Sequence, residues 1–213
     1  MAAISGLIRV MERAARKAGG RLRRDFGEVE HLQVSRKGPA DFVSKADIRA
    51  ERTLYDELLA ARPGWGFVME EAGVIEGDPG MPRWIVDPLD GTSNFLHGIP
   101  HFAISIAAQE PRADGKGWGD VVAGVVYQPI TDQTFWAEKS RGAWLHDARL
   151  RVSARSRLAD ALVATGVPFF GHGDFAEWSR IFGAIGPEVA GIRRFGAASL
   201  DLAYVAQGRF DGF

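Results

Sequence analysis

Three apolar residues, Trp84-Ile85-Val86, run straight into Asp87-Pro88-Leu89-Asp90-Gly91-Thr92. That junction limits what the chain can build. A strand over the apolar residues carries Asp87 to the edge of a sheet. Pro88 has no N–H to give, so the strand is expected to stop there. Asp90 then has the chemistry of a helix N-cap, with Gly91 and Thr92 opening the helix. Two hard oxygen ligands three positions apart, beside backbone N–H groups at a helix start, suit a divalent cation together with a phosphate. The pattern points to metal-dependent phosphoryl chemistry.

The rest of the chain supplies the scaffold. Ile4, Leu7, Ile8, Met11, Ala15, Ala18, Leu22 and Phe26 fall at helical spacing, with Arg9, Arg13, Arg16, Lys17, Arg21, Arg23 and Arg24 on the outer side. A second helix is expected from Ser44, whose spacing to Asp47 resembles a capping box. Ile48, Leu54, Tyr55, Leu58 and Leu59 form its apolar stripe, and Pro63-Gly64 ends it. Gly66 to Glu71 reads as a strand running into two carboxylates, and Gly73 to Pro82 as a loop. Strands are expected over 102–108, 121–127, 134–138 and 142–145, with a turn from Pro111 to Gly119, which makes a mostly antiparallel sheet. After Arg151 the order becomes strand 162–165, helix 175–185 capped by Asp174, strand 191–195 and helix 197–207, with a last strand near 209–213. The expected division is residues 1–150, an α+β lobe carrying the acidic motifs, and 151–213, part of an α/β lobe.

Asp87 and Asp90 need partners to hold a metal. Glu70 and Glu71 end an earlier strand, and Asp41 and Asp47 flank the start of the second helix. If the strands ending at Glu70 and Asp87 are neighbours, their carboxylates meet at one sheet edge. Cysteine is absent and the five histidines are scattered. Disulfides, thiolate zinc and thiol catalysis are therefore excluded, and all-oxygen donors favour Mg²⁺. Trp84, Phe95 and Phe102 are read as core, His97 and His101 as packing or loop residues, and Lys37 as either a phosphate or lid contact near the site or a solvated loop lysine.

With these residues in view, the chain resembles the inositol monophosphatase family. The resemblance rests on Gly38 to Asp47, Glu70-Glu71, Trp84 to Phe102 and Gly196-Ala197-Ala198-Ser199-Leu200-Asp201-Leu202-Ala203, in the family's order along essentially the whole chain. It implies a layered α-β-α-β-α sandwich of the sugar-phosphatase type, of mixed α+β and α/β character. It implies that Glu70, Asp87 and the Leu89 carbonyl bind one Mg²⁺, that Asp87 and Asp90 hold a second, and that Glu70 approaches a third through water. Mn²⁺ is the substitute ion. Thr92 and Asp47 would orient the attacking water, the N–H groups of Gly91 and Thr92 would hold phosphate, and Asp90 with the Ala198 backbone would contact the inositol hydroxyls. Members also form homodimers and are inhibited by Li⁺.

Relatives continue beyond the position matching Phe213, with an acidic residue and a Trp-Asp pair. The resemblance therefore implies an incomplete second lobe and a second ion held from protein by Asp87 and Asp90 alone. The expected activity is phosphomonoester hydrolysis on inositol monophosphate or a related polyol or sugar phosphate. The alternatives are fructose bisphosphate, a nucleotide bisphosphate or histidinol phosphate, or a non-catalytic module binding a regulatory protein or RNA through the basic first helix. A net charge of −1 gives no general argument for nucleic acid. With no signal-peptide pattern and no run of about 20 apolar residues, a cytoplasmic protein without membrane contact is expected.

Overall fold

Apolar residues at a period of 3.6 make the first helix, α1 (Gly6–Phe26), whose start is fixed by Ser5 Oγ accepting from Ile8 N at 3.1 Å. The computed structural model describes residues 4–28, 34–36, 42–168 and 173–213. Lys37, Gly38 and Asp41 lie outside them. Two short strands, β1 (Val34–Arg36) and β2 (Phe42–Ser44), pair antiparallel and lead into α2 (Lys45–Ala61). The buried face of α2 is Ala46, Asp47, Ala50, Glu51, Thr53, Leu54 and Leu58. Ile48, expected in that stripe, is 52% exposed, because it sits about 100° around the helix from Asp47.

The remaining strands are β3 (Gly66–Met69), β4 (Gly73–Ile75), β5 (Arg83–Asp90), β6 (Ala103–Pro111), β7 (Trp118–Gln128), β8 (Gln133–Glu138), β9 (Gly142–Leu145), β10 (Ala148–Arg149), β11 (Leu162–Ala164) and β12 (Gly191–Arg193). The helices α3 (Thr92–Leu96), α4 (Phe175–Ile185) and α5 (Ala198–Ala206) complete the regular structure. Strands β3 to β10 form one eight-stranded sheet in the order β10-β9-β8-β7-β6-β5-β3-β4, antiparallel except for the parallel pair β3–β5. β4 falls inside a segment expected to be loop, where a tight turn folds Gly73 back beside Met69. The turn expected over Pro111–Gly119 is shorter, because β6 and β7 extend towards it.

Helices α1 and α2 cover one sheet face. Ile8, Met11, Leu22, Leu54 and Leu58 pack there against Trp84, Val86, Ile106 and Val125. Phe95 and Phe102, both fully buried, meet edge to face at 5.0 Å, and Phe26 lies within 5.6 Å of each ring. Helix α5 covers the opposite face, where Leu200 and Ala203 pack against Ala103 and Phe135. The small parallel sheet β11–β12 is flanked by α4, tied down by Trp178 Nε1 donating to Gly166 O at 2.8 Å. Asp174 caps α4 as expected, accepting from Ala176 N and Glu177 N. Instead of a last strand over 209–213, a single bridge joins Gly212 to Val163. Among the described residues, no helix is long and apolar enough to cross a membrane.

Leu58 is fully buried on α2. Leu58→Ala is expected to cost about 2–5 kcal/mol, read as a lower urea midpoint at constant m-value.

Candidate active site

Strand direction makes the site. In the parallel pair β3–β5, Met69 lies opposite Val86, so the residues that follow, Glu70 and Asp87, emerge side by side from the same end of the sheet. Their carboxyls are within hydrogen-bonding reach of each other. An antiparallel pair would have sent these two residues to opposite ends.

Strand β5 does not stop at Pro88 but runs to Asp90. Its pairing with β3 ends at Val86, so beyond that point the β3 side asks for no N–H. Its register with β6 also shifts between Asp87 and Asp90. Proline is tolerated at such an irregular margin. Asp87 Oδ1 accepts from Leu89 N at 3.0 Å, which closes a small turn around the proline.

Helix α3 begins after Gly91, whose φ of 94° and ψ of 32° lie in the left-handed region. A Cβ there would stand 3.0 Å from His101 O and 3.3 Å from the Phe102 Cα, so the position favours glycine on both counts. Thr92 Oγ1 donates to Leu89 O at 2.8 Å and lies 3.5 Å from Asp47 Oδ2. Asp47 is 1% exposed on α2. Glu70, Asp87, Asp47 and Thr92 therefore converge, with the Leu89 carbonyl among them.

Asp90 is not the cap of α3. Its side chain reaches across the chain to α5, accepting from Ala198 N at 3.2 Å, Ser199 N at 2.7 Å and Ser199 Oγ at 2.5 Å. The N-cap residue of α5, Ala197, has no side-chain acceptor, and the open amides of that first turn find Asp90 instead. Asn94, 7% exposed, donates from Nδ2 to His101 O at 2.8 Å and to Phe195 O at 2.7 Å. That one amide clips the segment before α5 to the loop after α3. His101 packs at a tilt against Phe195 and edge-on to Tyr204, while His97 ends α3 at the surface.

Motif reading does not reveal what three contributors bind. Glu51, 7% exposed, accepts from Glu71 N at 2.8 Å and Ala72 N at 3.0 Å. It sits one turn after Asp47 on the buried face of α2. Ser199 and Asn94 sit inside recognised motifs, but nothing local tells that their partners lie about a hundred residues away.

Crowding of acids sets the electrostatics. Burial pushes the Asp47 carboxyl up to about 8, reinforced by Glu70, Glu71, Asp87 and Glu51. Burial, then Asp90 and Glu70, push Asp87 up to about 7, against the Leu89 amide, which lowers it. Asp201, in the first turn of α5, is raised to about 6 by burial and by Asp90. Such a cluster seeks a proton or a cation. Among the described residues, no three Asp, Glu or His side chains already surround one point as ligands, and Asp90 is turned towards α5. The groups that do converge, the Glu70, Asp87 and Asp47 carboxyls, the Thr92 hydroxyl and the Leu89 carbonyl, are all oxygen donors, which suits a hard cation that keeps its own waters.

Acid-ended parallel strands thus meet a glycine-initiated helix in a layered α/β sandwich, which sets carboxyls and helix-start amides at one sheet edge. The sequence matches the profile of the inositol monophosphatase family over residues 4–213. It is 56% identical over 209 residues to an inositol-1-monophosphatase of Rhizobium meliloti, covering 98% of this chain and 76% of that protein. It is 41% identical over 211 residues to a Nus factor SuhB of Pseudomonas aeruginosa, covering 97% and 75%. The crystal structure of the extragenic suppressor protein suhB from Bartonella henselae superposes with a TM-score of 0.89 at 54% identity, over 97% of this chain and 76% of that one. The chain belongs to the inositol monophosphatase family.

Proposed function

We propose that this chain hydrolyses inositol monophosphate, or a closely related polyol phosphate, with Mg²⁺ held by Glu70, Asp87 and the Leu89 carbonyl. Asp87 and Asp90 would hold a second ion, and Mn²⁺ would substitute. The observation that carries the reading is the side-by-side exit of Glu70 and Asp87 next to Thr92 and buried Asp47. Bound Mg²⁺ supplies positive charge for the phosphoryl oxygens and acidifies the attacking water. The chain's own part is positioning, which phosphoryl transfer chiefly demands. Thr92 Oγ1 and Asp47 form a polar pair that orients water on the phosphate. The N–H groups of Gly91 and Thr92 take the phosphate oxygens. Asp90, already hydrogen-bonded to the Ala198 and Ser199 amides, brings the start of α5 to the substrate's hydroxyls.

Relatives named inositol-1-monophosphatase at more than half identity support the substrate class. In a panel of inositol, fructose, nucleotide and histidinol phosphates, inositol monophosphate is expected to give the highest kcat/KM, measured as released phosphate. Equal turnover of a nucleotide bisphosphate would overturn the choice. Li⁺ inhibition, a homodimer and a cytoplasmic location belong to the same proposal.

A second reading has its own support in the relatives named Nus factor SuhB and in the exposed face of α1 carrying Arg9, Arg21, Arg23 and Arg24. In that reading the chain binds a regulatory protein or RNA without catalysis. Absence of phosphate release at millimolar Mg²⁺ from folded protein would favour it.

A further inference from the structure

We propose that Glu51 is a positioning residue that holds Glu70 in place for the cation; this rests on the reading of Glu70 as a metal ligand. Glu70 stands at the first position of the turn that joins β3 to β4. On its N-terminal side the chain is fixed by sheet pairing, Met69 opposite Val86. On its C-terminal side the next two amides are fixed by Glu51, whose Oε2 takes Glu71 N at 2.8 Å and whose Oε1 takes Ala72 N at 3.0 Å. Pinned on both sides, the Glu70 backbone presents its carboxyl within reach of Asp87.

The choice of residue argues for this role. Glu51 is 7% exposed on the face of α2 that also buries Ala46, Asp47, Ala50, Thr53, Leu54 and Leu58. A carboxyl there costs desolvation. It also adds to the charge that pushes Asp47 up. Two neighbouring N–H donors need two acceptors, and a carboxylate offers them in one rigid fork. A glutamine would turn an NH₂ group towards one of the amides. An aspartate is one methylene too short. Asp47 and Glu51, one turn apart on α2, thus serve the two sides of the site: Asp47 faces Thr92 while Glu51 holds the turn bearing Glu70.

The test compares Glu51→Gln and Glu51→Asp with the wild type and with Leu58→Ala, which destabilises the same helix without touching the turn. Mg²⁺ titration by calorimetry is expected to show Kd weakened about ten- to hundredfold in both Glu51 variants, the range seen when a ligand's supporting partner is removed. Their Glu71 and Ala72 amides are expected to exchange with solvent faster, and kcat at saturating Mg²⁺ to stay within a few-fold of wild type. Leu58→Ala should melt lower yet bind Mg²⁺ as the wild type does. Wild-type affinity in Glu51→Gln, or an equal loss in Leu58→Ala, overturns the proposal while leaving the phosphatase reading intact. A wild-type chain that binds no Mg²⁺ overturns both.

Discussion

Asp87→Asn is expected to lower kcat by about a thousandfold or more at any attainable Mg²⁺, a loss on the order of 4 kcal/mol in transition-state stabilisation. The substitution is nearly isosteric. An asparagine keeps an Oδ1 that can accept from Leu89 N, so the turn around Pro88 is retained. What disappears is the carboxylate placed between Glu70 and Asp90, the one side chain assigned to both ions. The same change should make the metal-free protein more stable, by about 1 kcal/mol at pH 8, because it takes one charge out of a crowded acidic cluster. Phosphate release and a thermal melt in EDTA check the two halves. Activity within tenfold of wild type would show that Asp87 does not hold the cation.

Stability of the metal-free protein is expected to fall as pH rises from about 4 to about 8, and Mg²⁺ should erase most of the fall. Asp87 and Asp47 have folded values raised to about 7 and about 8, from 3.8. Over this window the folded chain holds protons that the unfolded chain has released. The proton-linked stabilisation is complete below the unfolded value and is lost as pH climbs through the folded ones. Water reaches the half-buried Asp87, so the loss is set at about 2 kcal/mol, or about 4–8 °C in Tm. Mg²⁺ competes with those same protons. Its stabilising effect should therefore be small at pH 5 and large at pH 8, in matched melts with and without 10 mM Mg²⁺, about ten times a millimolar Kd. A Tm that rises towards pH 8 in EDTA would contradict the assignment of these two carboxyls.

Much of this architecture could be read residue by residue. Periodicity marked α1 and α4 to within a residue or two because each has an apolar stripe and a capping residue, and α5 was bounded as closely although its N-cap, Ala197, offers no side-chain acceptor. The β7, β8 and β9 strands followed from β-branched and aromatic runs. Where local rules failed, a distant partner had decided the outcome. Pro88 is harmless within β5 because β3 has already ended alongside it. Asp90 has the chemistry of a cap and performs that job, but for α5, more than a hundred residues further on. Asp87 and Glu70 were legible as candidates, yet their meeting depends on β3 and β5 being parallel, which composition does not encode. Glu51 is one of four carboxyls on α2, and nothing in the local sequence separates it from the solvated ones.

The parallel alignment of β3 and β5 has a design implication. Because sheet geometry and not a loop's shape sets the spacing between the two acids, the chemistry is decoupled from the connection between them. Residues 76–82 are a run of exposed or half-exposed positions linking β4 to β5. Gly77 and Asp78 are held against Gly64 and Gly66, whereas Pro79 and Gly80 are exposed with open space beside Gly80, so a spliced tag or reporter is expected to be tolerated at 79–80, with phosphate release as the check.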